Sequence, residues 1–327
     1  MAVDKFKGGD PDFMVFSGSA NPALAEKVAE YIGKPLNKID IRHFPDGETF
    51  CQVLDPVRGK DVFVIQSGSP SPNEAYMELF IIMDALRRGS AARITAVLPY
   101  YGYARQDRKD QPRVPITARL VANLLTTAGA DRVLTMDLHA NQIQGFFDIP
   151  LDHLKAEPVI LQYIRDQHWE DPVVVAPDTG GAKTAYGYSR KLGCALAIVA
   201  KQRTGDATVD AFSVVGDVNG RNVIMIDDMT ATGGTLSAAA KMCRESGAKS
   251  VHAFVSHFPL TAKGEERLMT ETQLDELVVT DSIPMRKGFD ASKLPFKLTI
   301  LSVAPLIGEA IVRTHANASI NDLFNHE

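Results

Sequence analysis

Residues 222–236 read N-V-I-M-I-D-D-M-T-A-T-G-G-T-L, and this stretch decides the fold that the sequence predicts. The apolar run at 223–226 predicts a strand buried on both faces, the kind found in parallel sheets. Two carboxylates, Asp227 and Asp228, follow the run, and residues 236–242 then favour a helix. Between them lies a turn of hydroxyl residues and glycines, where backbone N–H groups and the positive end of a helix converge. The stretch therefore predicts a cradle for a phosphate group.

The paired aspartates lie at the carboxyl end of the predicted strand, where open α/β sheets bind their ligands. A phosphate cradle beside two carboxylates suits a sugar phosphate, with the phosphate in the turn and the sugar hydroxyls on Asp227 and Asp228. Many α/β proteins also have a glycine turn at this place and bind nothing, and that alternative stays open here. The sequence contains no G-x-x-x-x-G-K-[ST] pattern, so the turn is not the common nucleotide-binding loop.

The composition is that of a globular protein with two domains. The chain has 327 residues, which is long for one hydrophobic core, and its hydrophobic and charged shares of 45% and 23% are ordinary. The formal net charge of −5 argues against non-specific binding to nucleic acid. No apolar run reaches the roughly 18 residues of a membrane span, and residues 1–7 lack the apolar core of a signal peptide. The three cysteines have no C-x-x-C spacing, which favours reduced thiols in a cytoplasmic protein.

Predicted strands and helices alternate along the chain, which indicates mostly parallel sheets with helices on both faces. Two pairs of stretches resemble each other: residues 57–67 align with 218–228, and residues 93–98 align with 250–255. The nearly equal offsets indicate that one α/β unit has been duplicated. The boundary between the copies then falls near residues 154–158, and only the second copy carries the aspartate pair and the phosphate cradle.

Residues 100–113 read Y-Y-G-Y-A-R-Q-D-R-K-D-Q-P-R and follow a predicted strand. Cations and three tyrosines at a strand's carboxyl end predict a clamp for a polyphosphate and a nucleobase, with a plain surface loop as the alternative. His139 lies two residues after Asp137 at the end of the next strand, so the pair can reach a metal ion or a phosphate. A purely structural histidine is the other interpretation.

Two further segments of the second half suggest ligand contacts. Asp178 belongs to the glycine turn P-D-T-G-G-A-K at 177–183 and is a candidate for metal coordination. Lys201 and Arg203 follow a predicted strand that ends at Ala200, and a glycine comes soon after them. They are predicted to be cations on a mobile loop.

Six segments, taken in order, resemble the family of ribose-phosphate diphosphokinases, also called phosphoribosyl-pyrophosphate synthases. They are F-P-D-G-E at 44–48, Y-A-R-Q-D-R-K at 103–109, D-R-V-L-T-M-D-L-H-A-N-Q-I-Q-G-F-F-D-I-P at 131–150, P-D-T-G-G-A-K at 177–183, K-Q-R at 201–203 and I-D-D-M-T-A-T-G-G-T at 226–235. The resemblance implies an α/β fold of two tandem phosphoribosyltransferase-like domains, each a mostly parallel sheet flanked by helices. We expect an ATP-side domain with oligomer contacts at 1–157, a ribose 5-phosphate domain at 158–307, and a tail, 308–327, that packs on the first.

The resemblance also implies an activity and its residues. The β,γ-diphosphoryl group of ATP passes to O1 of ribose 5-phosphate and AMP is released, which serves nucleotide biosynthesis. Lys201, Arg203 and Arg105 are the implied catalytic residues, and Mg²⁺ is held or oriented by His139 and Asp178. ATP is bound by Phe44, Asp46, Glu48, Arg105, Gln106 and Asp107. Ribose 5-phosphate is bound by Asp227, Asp228, Thr232, Gly233, Gly234 and Thr235.

By the same resemblance the protein is a homo-oligomer, a hexamer of dimer units, in which a neighbouring subunit contributes residues 44–48 to the adenine pocket. Four positions depart from the usual pattern of the family: Pro45, Ala231 in the sugar loop, and Asn141 and His153 near positions where ADP and phosphate regulate some members. A phosphoribosyltransferase that consumes the activated sugar and a catalytically silent regulatory homologue are the alternatives. The R-Q-D clamp, the D-L-H segment and the K-x-R segment handle ATP and favour the synthase.

Overall fold

The structure is a computed structural model that describes residues 12–203 and 210–323, with side chains described except at 201–203 and 210–212. The described chain divides into two units. The front unit contains residues 12–156, 282–284 and 302–323, and the rear unit contains the described residues of 157–281 together with 285–301.

The front unit is built on a sheet of five parallel strands. Its elements are β1 (Phe13–Ser17), α1 (Pro22–Ile32), β2 (Ile39–His43), β3 (Thr49–Val53), β4 (Asp61–Ile65), α2 (Pro72–Arg88), β5 (Arg93–Leu98), α3 (Thr117–Ala128), β6 (Arg132–Met136) and β7 (Leu151–Leu154). The strand order is β1-β4-β5-β6-β7. The apolar residues of β4 and β5 are almost fully buried because helices cover the sheet. Strands β2 and β3 form a separate antiparallel hairpin, which the sequence did not predict as such.

The rear unit is built on a sheet of seven strands. Its elements are α4 (Glu157–Asp166), β8 (Pro172–Ala176), α5 (Ala182–Leu192), β9 (Ala195–Arg203), β10 (Asp210–Val215), β11 (Asn222–Met229), α6 (Gly234–Glu245), β12 (Ser250–His257), α7 (Ala262–Thr270), β13 (Glu276–Thr280) and β14 (Lys297–Leu301). The strand order is β10-β9-β8-β11-β12-β13-β14, and β10 alone among these strands runs antiparallel to its neighbour.

The two sheets repeat one topology. Strands β1, β4, β5, β6 and β7 occur in the same spatial order as β8, β11, β12, β13 and β14. The stretches that align in the sequence form β4 and β11, and then β5 and β12. The mostly parallel α/β architecture predicted from the alternating pattern is therefore confirmed, and β11 lies between two parallel neighbours with its apolar run fully buried.

The last helix, α8 (Ala304–His315), returns to the front unit and packs on α1. The hydroxyl of Tyr31 donates a hydrogen bond of 3.3 Å to Glu309, and the imidazole Nδ1 of His315 lies 2.7 Å from a carboxylate oxygen of Asp61. Three short 3₁₀ helices complete the described elements, at Asn141–Phe146, Ala291–Lys293 and Asn321–Leu323. Within 12–203 and 210–323, no helix is both long enough and apolar enough to cross a bilayer.

Candidate active site

The turn after β11 forms the start of α6. The backbone N–H of Thr230 still bonds to the carbonyl of His257 at 3.1 Å, so the turn leaves the sheet only after that residue. Gly233 has a φ of +66°, a left-handed conformation that strains residues with a side chain, and α6 begins at Gly234. Thr232 and Thr235 are exposed while Gly233 is buried. The turn thus places backbone amides at a helix N-terminus beside exposed threonines, which is an arrangement that binds anions.

Asp227 and Asp228 lie in the last part of β11, which is one residue longer at each end than the strand predicted at 223–228. The backbone N–H of Asp228 donates to the Asp227 carboxylate at 2.9 Å. Burial, the neighbouring Asp228 carboxylate and the charge of Asp178 raise the pKa of Asp227 to about 8. Negative charge is therefore concentrated at this strand end, where it is relieved by a proton, a cation or hydroxyl donors.

The turn after β8 brings Asp178 toward the same end of the sheet. Its carboxylate Oδ1 accepts a hydrogen bond of 3.0 Å from the backbone N–H of Gly181, just before α5. The influence of Asp178 on Asp227 shows that the two carboxylates share one electrostatic environment. The rear unit thus gathers three of its predicted carboxylates beside the phosphate turn.

The backbone of Lys201 and Arg203 forms a strand, whereas the sequence predicts a loop there. They were predicted on a loop after a strand ending at Ala200, but β9 continues through both residues to Arg203, opposite Asp210 of β10. Their side chains, and residues 204–209 that follow, lie outside the described part of the protein.

In the front unit, a cavity of about 320 Å³ lies where β5 and β6 end. Its lining consists of Arg105, Gln106, Asp107, Arg108, Asp110, Val114, Pro115 and His139. Three of the predicted ATP-binding residues and the predicted metal-binding histidine therefore come together in one cavity. Its two arginines, Arg105 and Arg108, and its histidine suit a polyphosphate.

The tyrosines of residues 100–113 do not line this cavity. Tyr100 and Tyr101 are buried in the front core, and the Tyr101 hydroxyl donates a hydrogen bond of 2.8 Å to the carbonyl of Ala118. Burial also raises the pKa of Tyr101 far above its usual range. The prediction that these two rings form part of a nucleobase clamp is therefore wrong, because they pack in the core. Tyr103 is partly exposed, and its hydroxyl bonds to Asn73.

The segment that carries His139 is bonded to β7 and to the two residues that follow β7. The backbone N–H of Leu138 donates to Nε2 of His153 at 2.9 Å, and the N–H of Ala156 donates to Asp137 at 3.1 Å. Lys155 Nζ lies 3.7 Å from the Asp137 carboxylate and 3.2 Å from the same nitrogen of His153. These bonds keep the segment in place although Asp137 has a φ of +40°.

The remaining predicted ATP-binding residues lie in the hairpin of β2 and β3. Phe44 is 49% exposed and packs edge-on against Phe50, with 5.9 Å between ring centroids. The Glu48 backbone N–H donates to the Asp46 carboxylate at 3.2 Å, and both residues are exposed. Within the described residues, the lining of the front cavity includes none of these three.

Sequence reasoning missed one residue next to this cavity. The side-chain amide of Gln142 donates to the Asp107 carboxylate at 2.9 Å. Gln142 lies in the 3₁₀ helix Asn141–Phe146, three residues after His139, and its nearness in sequence to that predicted ligand was the available signal. No group of three or more His, Cys, Asp or Glu side chains among the described residues is close enough to enclose a metal ion.

The matches with known proteins extend over most of the chain. The model of the N-terminal domain of ribose phosphate pyrophosphokinase matches residues 13–129, and that of the phosphoribosyl synthetase-associated domain matches residues 206–325. The chain is 47% identical over 312 residues to a ribose-phosphate pyrophosphokinase of Campylobacter jejuni, covering 95% of this chain and 99% of that relative. It is 46% identical over 324 residues to one of Helicobacter pylori, covering 99% and 100%. A crystal structure of phosphoribosylpyrophosphate synthetase from Mycobacterium smegmatis has a TM-score of 0.86 at 43% identity, covering 94% of this chain and 100% of that one.

Proposed function

Because the chain belongs to the ribose-phosphate pyrophosphokinase family, we infer that it transfers the diphosphoryl group of ATP to O1 of ribose 5-phosphate. The products are 5-phosphoribosyl 1-diphosphate and AMP. The observation that carries this conclusion is the identity of 46–47% with relatives of that name over nearly the full length of both chains. The reaction is a transferase reaction that supplies nucleotide biosynthesis.

Ribose 5-phosphate is proposed to bind in the rear unit, which overlaps most of the domain predicted at 158–307. Its phosphate takes the turn at Thr232, Gly233, Gly234 and Thr235, because amides at a helix N-terminus favour anions. Its ring hydroxyls donate to Asp227 and Asp228. The raised pKa of Asp227 supports this assignment, since hydroxyl donors relieve the repulsion between the two carboxylates.

ATP is proposed to bind in the front unit, which contains most of the domain predicted at 1–157. Arg105, Gln106 and Asp107 line the cavity of about 320 Å³ together with His139, which supports a polyphosphate site there. Phe44, Asp46 and Glu48 are proposed to contact the adenine ring of an ATP molecule in a neighbouring subunit. Their exposed hairpin supports that assignment, because the phenyl ring of Phe44 is half exposed in the single chain.

Mg²⁺ is proposed as the cofactor, with His139 and Asp178 as the protein groups that hold or orient it. When bound, the ion neutralises phosphate charge during the transfer. One histidine and one carboxylate suit Mg²⁺, which keeps several waters and binds one or two protein groups together with substrate phosphates.

The proposed transfer is an in-line displacement at the β-phosphorus. The O1 hydroxyl of ribose 5-phosphate forms the new bond and loses its proton, while the bond to the oxygen that stays on AMP breaks. Lys201, Arg203 and Arg105 stabilise the charge that spreads over the phosphoryl oxygens. Because a transition-state arginine contributes roughly 10³–10⁵ in rate, Arg203→Ala should lower kcat by at least ~10³ and leave the affinity for ribose 5-phosphate almost unchanged. A parallel loss of affinity and turnover would remove Arg203 from this role.

A homo-oligomer, a hexamer made of dimer units, is proposed because the hairpin of β2 and β3 then completes the adenine pocket of a neighbouring subunit. We also propose a cytoplasmic location, which the free thiols of Cys51, Cys194 and Cys243 support.

One assay tests the activity. Purified protein is mixed with ATP, Mg²⁺ and ribose 5-phosphate, and the products are separated by chromatography. Stoichiometric AMP and 5-phosphoribosyl 1-diphosphate are expected, and omission of ribose 5-phosphate should abolish both. Release of ADP would instead indicate a simple kinase. Release of diphosphate from added 5-phosphoribosyl 1-diphosphate and a base, without any formation of AMP from ATP, would indicate a phosphoribosyltransferase.

A further inference from the structure

Helix α7 and the residue before it contact the phosphate turn through backbone carbonyls of the turn. The N–H of Thr261 donates to the carbonyl of Ala231 at 3.0 Å, and the Thr261 hydroxyl donates to the same oxygen at 3.1 Å. Nη1 of Arg267 donates to the carbonyl of Thr232 at 3.2 Å. Two consecutive carbonyls of the turn are thus bound by one element that carries no predicted site residue.

These bonds determine where the amides of the turn point. In a trans peptide unit the C=O and the N–H point in opposite directions, because the unit is planar. The carbonyl of Ala231 shares its peptide unit with the N–H of Thr232, and the carbonyl of Thr232 shares its unit with the N–H of Gly233. When α7 binds both carbonyls, both N–H groups are directed away from α7. They are amides of the turn assigned above to the 5-phosphate.

Gly264 lets α7 come this close. A methyl group on its Cα would overlap the carbonyl oxygen of Ala231 and lie 3.1 Å from Cα of Thr232. Both are backbone atoms, which cannot rotate out of the way as a side chain can. Leu268, one turn further along α7, is fully buried beneath Gly233.

The side chains of Thr261 and Arg267 are themselves held by further hydrogen bonds. The Thr261 hydroxyl accepts a hydrogen bond of 3.0 Å from the N–H of Gly264, which caps the helix while the same hydroxyl donates to the turn. Nε of Arg267 donates to Glu271 at 2.8 Å, one turn along the helix. The guanidinium is therefore oriented before any ligand arrives, which is the condition for a precise support.

We propose that α7 is the positioning element of the phosphate turn, with Gly264 and Arg267 as the residues that aim the amides of Thr232 and Gly233 at the 5-phosphate. The proposal rests on the assignment of ribose 5-phosphate to this turn. It predicts that a change on α7, away from the substrate, weakens the binding of the sugar phosphate and leaves ATP binding intact.

The test compares Gly264→Ala with Gly187→Ala. Both glycines lie inside helices of the rear unit, but a methyl at Gly187 meets only Glu157, at 3.9 Å. Steady-state kinetics should show that Gly264→Ala raises the KM for ribose 5-phosphate about tenfold or more, the factor expected when hydrogen bonds to a charged group are misaligned. The KM for ATP should stay within about twofold in both variants, and Gly187→Ala should match the wild type.

A second pair of variants separates positioning from folding. Arg267→Leu removes the bond to the Thr232 carbonyl and should raise the KM for ribose 5-phosphate, whereas Arg267→Lys keeps a donor and should recover part of the loss. Melting temperatures establish that each variant is folded, and if Gly264→Ala does not fold, the Arg267 pair decides. An unchanged KM for ribose 5-phosphate in the folded variants, or equal rises in both KM values, overturns the proposal.

Failure of the proposed reaction has a different signature. A wild-type chain that forms no AMP overturns the function and leaves binding to be measured directly by calorimetry with ribose 5-phosphate alone. Weaker binding by Gly264→Ala than by Gly187→Ala would then still support the role of α7. Equal dissociation constants would overturn it.

Discussion

The side-chain amide of Gln142 donates a hydrogen bond of 2.9 Å to the carboxylate of Asp107. The bond joins the 3₁₀ helix that follows His139 to the cationic stretch that lines the front cavity. The carboxylate of Asp107 can pair with any of several arginines in the same stretch. Its hydrogen bond to the amide of Gln142 limits the orientations that the carboxylate can adopt.

Loss of this bond should weaken ATP binding. We expect Gln142→Leu to raise the KM for ATP about threefold to tenfold, since a typical hydrogen bond contributes about 1 kcal/mol. The KM for ribose 5-phosphate should not change. Gln144→Leu is the matched control, because Gln144 lies in the same 3₁₀ helix but bonds to the backbone carbonyl of Asn141. Equal effects of the two variants would argue that the helix, and not the bond to Asp107, matters.

The aspartate pair predicts a pH dependence of stability. The pKa of Asp227 is raised from 3.8 to about 8 by burial and by the charges of Asp228 and Asp178, so the folded state holds a proton that the unfolded chain releases near pH 4. Its contribution to stability is complete below pH 4 and is lost as the pH rises to about 8. Asp227→Asn, which mimics the protonated form, should unfold at a higher temperature than the wild type at pH 8 without ligands.

The difference between Asp227→Asn and the wild type should shrink as the pH falls toward 4, which differential scanning calorimetry can follow. Asp166→Asn, an exposed aspartate of the same unit, should show no such trend. A constant difference across the range would mean that the Asp227 carboxyl titrates normally.

Glu276 should act in the opposite direction. Burial on its own raises the pKa of Glu276, but hydrogen bonds from His252, Lys297, Tyr163 and Thr299 outweigh burial and leave the pKa well below its usual 4.5. The stability that this carboxylate contributes is therefore present above pH 4.5 and lost as the pH falls below it. Glu276→Gln should lower the free energy of unfolding at pH 7 by about 2 kcal/mol, because the bonds to a buried charge are weakened.

Urea unfolding followed by tryptophan emission measures this loss at pH 7 and again near pH 3, where it should be smaller. Glu245→Gln provides the comparison, since that exposed carboxylate pairs with Lys241 at 3.8 Å and should change stability by less than about 0.5 kcal/mol. If Glu276→Gln destabilised the protein equally at both pH values, the contribution of its charge would be refuted.

The framework of both sheets could be predicted because its strands are apolar runs with few alternatives. The run in β11 and its aligned partner in β4 indicated buried parallel strands, and both are confirmed. The hairpin was harder to predict, because Thr49–Val53 has no fully buried residue and pairs outside the main sheet. The extent of β9 was also misjudged, since pairing with β10 extends the strand through polar residues that local sequence assigns to a loop.

The chemistry of a side chain was easier to predict than its direction. Arg105 and His139 were assigned to ligand contacts on their motifs, and the fold brings both to one cavity. Tyr101 stands four residues before Arg105, yet its ring is buried and its hydroxyl bonds to a backbone carbonyl. A tyrosine suits either place, so only tertiary packing decides. The supports on α7 left no sequence signal, because they act through backbone carbonyls of the turn.

The packing of α8 on α1 has a consequence for synthesis on the ribosome. Gly308 lies so close to the ring of Tyr31 that a methyl group there would be 2.6 Å from it, and Tyr31 also bonds to Glu309. These contacts join residues that are far apart in the sequence, so the packing of the front unit is complete only after a helix that is translated long after β1 and α1. The nascent chain therefore needs protection of that surface for most of its elongation, and stop codons shortly before residue 304 should yield a product that aggregates rather than a shorter enzyme.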